Sequence, residues 1–136
     1  MSEPATETLS VIVERDMPYP ADRIWRALTQ PHLIAEWLMQ NDFLPVAGHR
    51  FRLTADWGGV ECEVLVIEQY KTLSYTWAAF GVATVVTWTL TPTDAGTHLR
   101  MEQSGFLADQ PQAYQGARHG WQRFAAALEQ VVARLE

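Results

Sequence analysis

Between residues 48 and 104 apolar and polar side chains alternate, in five successive stretches joined by turn-sized links. "HRFRLTADW" sets Phe51, Leu53, Ala55 and Trp57 on one side and Arg50, Arg52 and Thr54 on the other. "VECEVLVIE" sets Val60, Cys62, Val64 and Val66 against Glu61 and Glu63, and Leu73, Tyr75 and Trp77 share one face of "LSYTWA". Further on, Val86, Trp88 and Leu90 oppose Thr87 and Thr89, and Leu99 and Met101 oppose His98, Arg100 and Glu102. A period of two with one apolar face predicts strands wet on a single side, and the short links predict an antiparallel meander. Gly58-Gly59 reads as a hairpin turn between two of them.

Such a sheet needs a cover for its apolar face. Tyr114, Ala117, Trp121, Phe124, Leu128, Val131, Val132 and Leu135 recur at steps of three and four, which predicts a C-terminal amphipathic helix about six turns long. Upstream, "LSVIVERD" reads as a first strand with Leu9, Val11 and Val13 on one side. "YPADRIWRALTQ" and "QPHLIAEWL" read as two short helices, each opened by a proline near its first turn. The expected fold class is α+β. A curved six-stranded antiparallel sheet wraps the long C-terminal helix, with two short helices between the first and second strands. Residues 1–136 are expected to form one domain, with 1–7 a flexible N-terminus.

Composition limits what such a domain does. Apolar residues make up 48% of the 136 and charged residues 19%, enough to bury a core. Ten Lys and Arg against sixteen Asp and Glu leave a net charge of -6, which argues against nucleic acid or an anionic membrane surface as partner. Cys62 is the sole cysteine, so no internal disulfide forms. The start of the chain lacks the basic and apolar runs of a signal peptide, and no stretch approaches the length of a membrane span. The expected location is the cytoplasm.

Motifs for chemistry are missing. His32, His49, His98 and His119 are widely spaced, with no HExxH, so no metal is expected. There is no G-x-S-x-G, no GxGxxG and no P-loop, so neither a cofactor nor a catalytic residue is assigned. The aromatic residues say more. Six tryptophans are many for this length, and the strand parity turns Trp57, Trp77 and Trp88 inward, toward Trp121 and Phe124 of the helix. Any one ring is readily explained as core filling, but a curved sheet over one helix leaves space that large rings with polar tips suit as a wall. The candidate cavity residues are Trp37 (at the mouth), Phe51, Trp57, Tyr75, Trp77, Trp88, Met101, Phe106, Arg118, Trp121 and Phe124.

"QGARHGWQRF" (115–124) offers a histidine between two glycines, as a catalytic loop would. At about 100° per residue, however, His119 lies about 200° from Trp121 and is expected to face solvent. Arg118 lies near an edge of the inward stripe, where it is expected to meet a ligand's polar end. Gly116 eases the chain into the helix, and Gly120 permits close approach or a bend.

"PADRIWRALTQPHLIAEWL", "AGHRF", "LSYTW", "VVTWTLTPTDAGTHLRMEQSGF" and the "GW" opening the last helix occur in that order. With these features the chain resembles the START-like superfamily (SRPBCC, helix-grip, Bet v-type) from about Leu9 to Leu135. Within it, the chain resembles the bacterial relatives of the activator of the ninety-kilodalton heat-shock chaperone's ATPase. The resemblance implies a deep cavity between sheet and C-terminal helix that accepts apolar or aromatic molecules, with Trp77, Trp88, Phe106 and Trp121 lining or gating it. It implies no particular reaction, since relatives include carriers, receptors, cyclases and chaperone regulators. The eukaryotic activator has a separate N-terminal domain that engages the chaperone, and this sequence shows no counterpart.

Three functions follow as expectations. The first is non-enzymatic binding or carrying of an apolar, lipid-like or polyketide-like small molecule. The second is a cyclase-like enzyme drawing on Tyr75, Glu102, Tyr114, Arg118 and His119. The third is an interaction module acting on a chaperone. A homodimer is compatible with all three.

Overall fold

The computed structural model describes residues 8–79 and 81–135, so the segment 1–7 lies outside the described residues. Strand β1 (Thr8–Met17) leads into helices α1 (Ala21–Thr29) and α2 (Pro31–Trp37). Strands β2 (Gln40–Asn41), β3 (Arg50–Ala55), β4 (Gly58–Glu68), β5 (Thr72–Ala79), β6 (Val82–Thr93) and β7 (Gly96–Leu107) follow, and α3 (Pro111–Arg134) closes the chain. All neighbouring strands pair antiparallel, in the order β1-β7-β6-β5-β4-β3-β2, in a curved, unclosed sheet. The helix runs 24 residues, which is about 36 Å at the usual rise.

The sheet has seven strands where the alternation predicts six. The additional one is β2, whose Gln40 and Asn41 pair with Thr54 and Leu53. Two residues are too few to show a period, so pairing alone reveals it. The β3–β4 turn also sits two residues earlier than expected. Ala55 pairs with Gly58, so Asp56 and Trp57 form the turn and the glycines belong to β4. Gly58 has φ +137°, which side chains avoid, and Gly59 lies beneath the Arg52 guanidinium, where a Cβ would collide with it.

Two bulges break the alternation. One between Leu9 and Ser10 leaves Leu9 exposed, whereas Val11 and Val13 are buried as their parity predicts. The other, between Val64 and Val66, exposes both Leu65 and Val66. Elsewhere Phe51, Leu53, Val60, Cys62, Val64, Leu73, Tyr75, Val86, Trp88, Leu90, Leu99 and Met101 are buried as parity predicts, while toward the strand ends Ala55 and Trp77 are half-buried and Trp57 is exposed.

Burial along α3 follows the expected stripe at Trp121, Leu128, Val131 and Val132, with Ala125 buried in addition and Phe124 only half-buried. Its C-terminal half is clamped. Leu128 and Val132 are fully buried, Arg15 of β1 holds Glu129 at 2.6 Å, and Arg134 reaches Glu36 of α2 at 2.7 Å. The opposite half of α3 is where space opens.

Candidate functional site

The N-terminal half of α3 turns Ala113, Gly116, Ala117 and Gly120 toward the ends of β5, β6 and β7. These residues are too small to reach the sheet, and a cavity of about 350 Å³ remains between the two layers. A Cβ built on Gly116 would meet nothing within 4 Å. Trp77, Ala79, Val82 and Thr84 line the sheet side together with Gln103 and Phe106, and Met39 and Trp57 close other parts of the wall. Trp121 and Phe124 of α3 complete it, with Gln112 and Arg123 along the outer edge. The size lies at the lower end of the usual range for small-molecule pockets.

A chain of hydrogen bonds holds the inner end rigid. The Trp121 indole N–H donates to Gln103 Oε1 at 2.5 Å, and Gln103 Nε2 donates to Thr84 Oγ1 at 2.8 Å. The Thr84 hydroxyl in turn donates to the carbonyl of Trp77 at 3.0 Å. Gln103 is only 2% exposed, so this amide is a buried polar group with its orientation set by both partners. Trp121 lies 5.2 Å from Trp77, 5.7 Å from Trp88 and 5.4 Å from Phe124 between ring centroids, in tilted or edge-on contacts that suit aromatic pairs.

The structure distributes the expected cavity residues over several places. Trp57, Trp77, Phe106, Trp121 and Phe124 border the space. Trp57 occupies the β3–β4 turn and is 51% exposed, because that turn carries it past the end of the sheet's inner face. Trp37, Phe51, Tyr75, Trp88 and Met101 belong instead to the packed core and do not border the cavity. Trp37, expected at the mouth, is buried at the end of α2, where it donates to the Ala27 carbonyl at 2.8 Å and stands edge-on against Trp88. Phe51 packs against Phe43 and Tyr75, and the Tyr75 hydroxyl accepts the Trp88 indole N–H at 3.0 Å.

Arg118 is exposed over the Tyr114 ring and lines a separate groove with Ser10 and Ile12 of β1. The cavity opens on the side of α3 away from Arg118, and its lining runs past Phe124 and Gly120 out to the exposed Gln112, Gly116 and Arg123. His119 is exposed, as its angular position predicts.

Gln103, Arg123, Thr84 and Met39 are among the lining residues that the sequence reading missed. Gln103 continues the parity of Leu99 and Met101, and a glutamine at an inward strand position is the signal that could have found it.

Of the acid–base candidates, Tyr114, Arg118 and His119 share the groove beside β1, whereas Tyr75 and Glu102 lie elsewhere. Burial raises the Tyr75 phenol well above its ordinary range, only partly offset by the hydrogen bond from Trp88. Glu102 is engaged by Arg100 at 3.0 Å on the outer side of β7. Burial, followed by the nearby Glu61 and Asp42 carboxylates, pushes the Cys62 thiol up to about 12, so it is no nucleophile at neutral pH. Among the described residues no group of three or more His, Cys, Asp or Glu is placed to hold a metal ion, and no helix is long and apolar enough to cross a membrane.

A long C-terminal helix gripped by a curved antiparallel sheet, with an aromatic-walled space between them, defines a protein of the START-like, helix-grip class. Residues 18–133 match the family described as activator of Hsp90 ATPase homolog 1-like protein, and the chain belongs to that family. Among solved structures it is similar to protein MLL2253 from Mesorhizobium loti, at 56% identity over 94% of this chain and 99% of that one, with a TM-score of 0.91. It is also similar to DynU16, a protein of the dynemicin biosynthetic locus, at 26% identity and TM-score 0.82, covering 92% of this chain and 47% of that one. CalU16 from Micromonospora echinospora shares the fold at 23% identity and TM-score 0.81, covering 98% and 82% of the two chains. A comparison with curated proteins gave no match.

Proposed function

We propose that the protein binds a small apolar or aromatic molecule, as carrier or receptor, in the cavity between the sheet and the N-terminal half of α3. The observation that carries this reading is the run of small residues on α3 facing large rings. Ala113, Gly116, Ala117 and Gly120 keep the helix from filling a space walled by Trp77, Phe106, Trp121 and Phe124. A protein with only a core to fill gains by closing such a gap, since voids forfeit packing. The wall is apolar with a few fixed polar groups, the usual make-up of a site that orients a ligand.

Titration of tryptophan emission with lipids, flavonoids and polyketides tests the reading, because Trp77 and Trp121 border the cavity. Binding that quenches the wild-type protein and disappears in Gly120→Leu, whose side chain occupies the space, supports it. A broad panel that leaves the emission of both proteins unchanged sinks it. Family membership supports a second reading, regulation of a chaperone ATPase. A pull-down against the cognate chaperone, with ATPase rate as readout, separates it from ligand carriage.

A further inference from the structure

The cavity wall is one-sided in charge. Arg123 is the charged residue among those that line it, and no described Asp or Glu does so. This is unexpected in a chain of net charge -6, where Arg15, Arg50, Arg52, Arg100 and Arg134 each engage a glutamate. Arg123 is exposed at the rim and pairs with no carboxylate among the described residues. Deeper in, Gln103 spends its carbonyl on Trp121 and one amide hydrogen on Thr84, which leaves a second N–H as a donor. Rim and interior therefore both offer donors.

We propose that the ligand is a flat apolar acid. Its ring system lies against Trp77, Trp121 and Phe124, and its carboxylate meets the Arg123 guanidinium at the rim. The proposal rests on the reading of the cavity as a small-molecule site and specifies the ligand class. The anion belongs at the rim because burying it beside a neutral amide is costly, whereas there it keeps water and gains a planar fork of N–H donors. A cationic ring compound would find aromatic faces inside but meets a like charge at the entrance.

Calorimetric titration of the intact chain with naphthoic acid, its methyl ester and naphthylmethylamine separates these cases. The acid is expected to bind roughly tenfold tighter than the ester, with the amine weakest. Arg123→Gln is expected to bring the acid down to the ester's affinity and leave the ester unchanged, while Arg123→Lys keeps part of the preference. Added salt weakens the acid and not the ester. Equal binding of acid and ester by the wild type, or an acid preference that survives Arg123→Gln, overturns the proposal while leaving the cavity as a binding site. If neither acid nor ester binds, and the broader ligand panel also fails, the cavity reading falls and this proposal falls with it.

Discussion

The two halves of α3 cover the same sheet by opposite means. From Ala125 to Val132 the helix presents Leu128, Val131 and Val132, and it is clamped by Arg15–Glu129 and Arg134–Glu36. From Ala113 to Gly120 it presents small side chains across a gap, and Trp121 at the boundary is held by Gln103. The difference teaches that the grip on the sheet and the open space fall on different turns of one helix. Apolar burial holds the C-terminal half in place, so the N-terminal half is free to leave space.

This contrast can be broken by mutation. Leu128→Ala should have the largest effect, a loss of about 3 kcal/mol or more in chemical denaturation, because Leu128 is fully buried in the filled half. A cost no greater than that of a surface substitution would erase the distinction between the halves. Gln103→Leu comes next. It leaves the buried Trp121 N–H without its acceptor, at an expected cost of about 1–3 kcal/mol, and should shift the emission of Trp121. Gly116→Ala in the open half should instead stabilise, by up to about 1 kcal/mol, since its Cβ meets nothing and alanine favours the helix. A destabilised Gly116→Ala would mean that the gap closes in solution.

The smallest effect belongs to the outer face of the sheet, which serves as a baseline for both halves. His98 hydrogen-bonds Asp16 at 2.7 Å and Glu14 at 2.9 Å, and these carboxylates raise its pKa above the ordinary value. With the folded pKa raised, the contribution is fully present below the unfolded pKa and disappears as pH rises through the folded one. The stability difference between wild type and His98→Gln should therefore shrink on going from about pH 5 to about pH 9. A difference that grows with pH would contradict the assignment.

Much of the fold was legible because alternation and helical stripes report burial directly. Leu73, Val86, Trp88 and Leu99 follow parity without exception, and Trp121 and Leu128 follow the helical stripe. What escaped depends on pairing partners. The bulge that exposes Leu9 arises in pairing with β7 at the far end of the chain, whereas the bulge beside Val66 and the pairing of Gln40 with Thr54 join consecutive strands whose register leaves no mark on the alternation. The cavity was only half legible for a related reason. Parity separates inside from outside, so it treats Trp88, in the filled region, like Trp77, on the cavity wall. A helical wheel likewise misdirects: it sets Arg118 beside the stripe and Arg123 about 200° from Trp121, yet Arg123 borders the opening and Arg118 the groove beside β1.

The run Ala113, Gly116, Ala117 and Gly120 sets the depth of the chamber through side-chain volume alone, on turns that the fold does not rely on for its grip. Replacing these residues singly by Ser, Val, Leu or Phe should yield a graded series of chambers on an unchanged scaffold. Related chains can therefore diverge in the volume they leave between helix and sheet through a handful of substitutions on one helix face, and a designer can follow the same route.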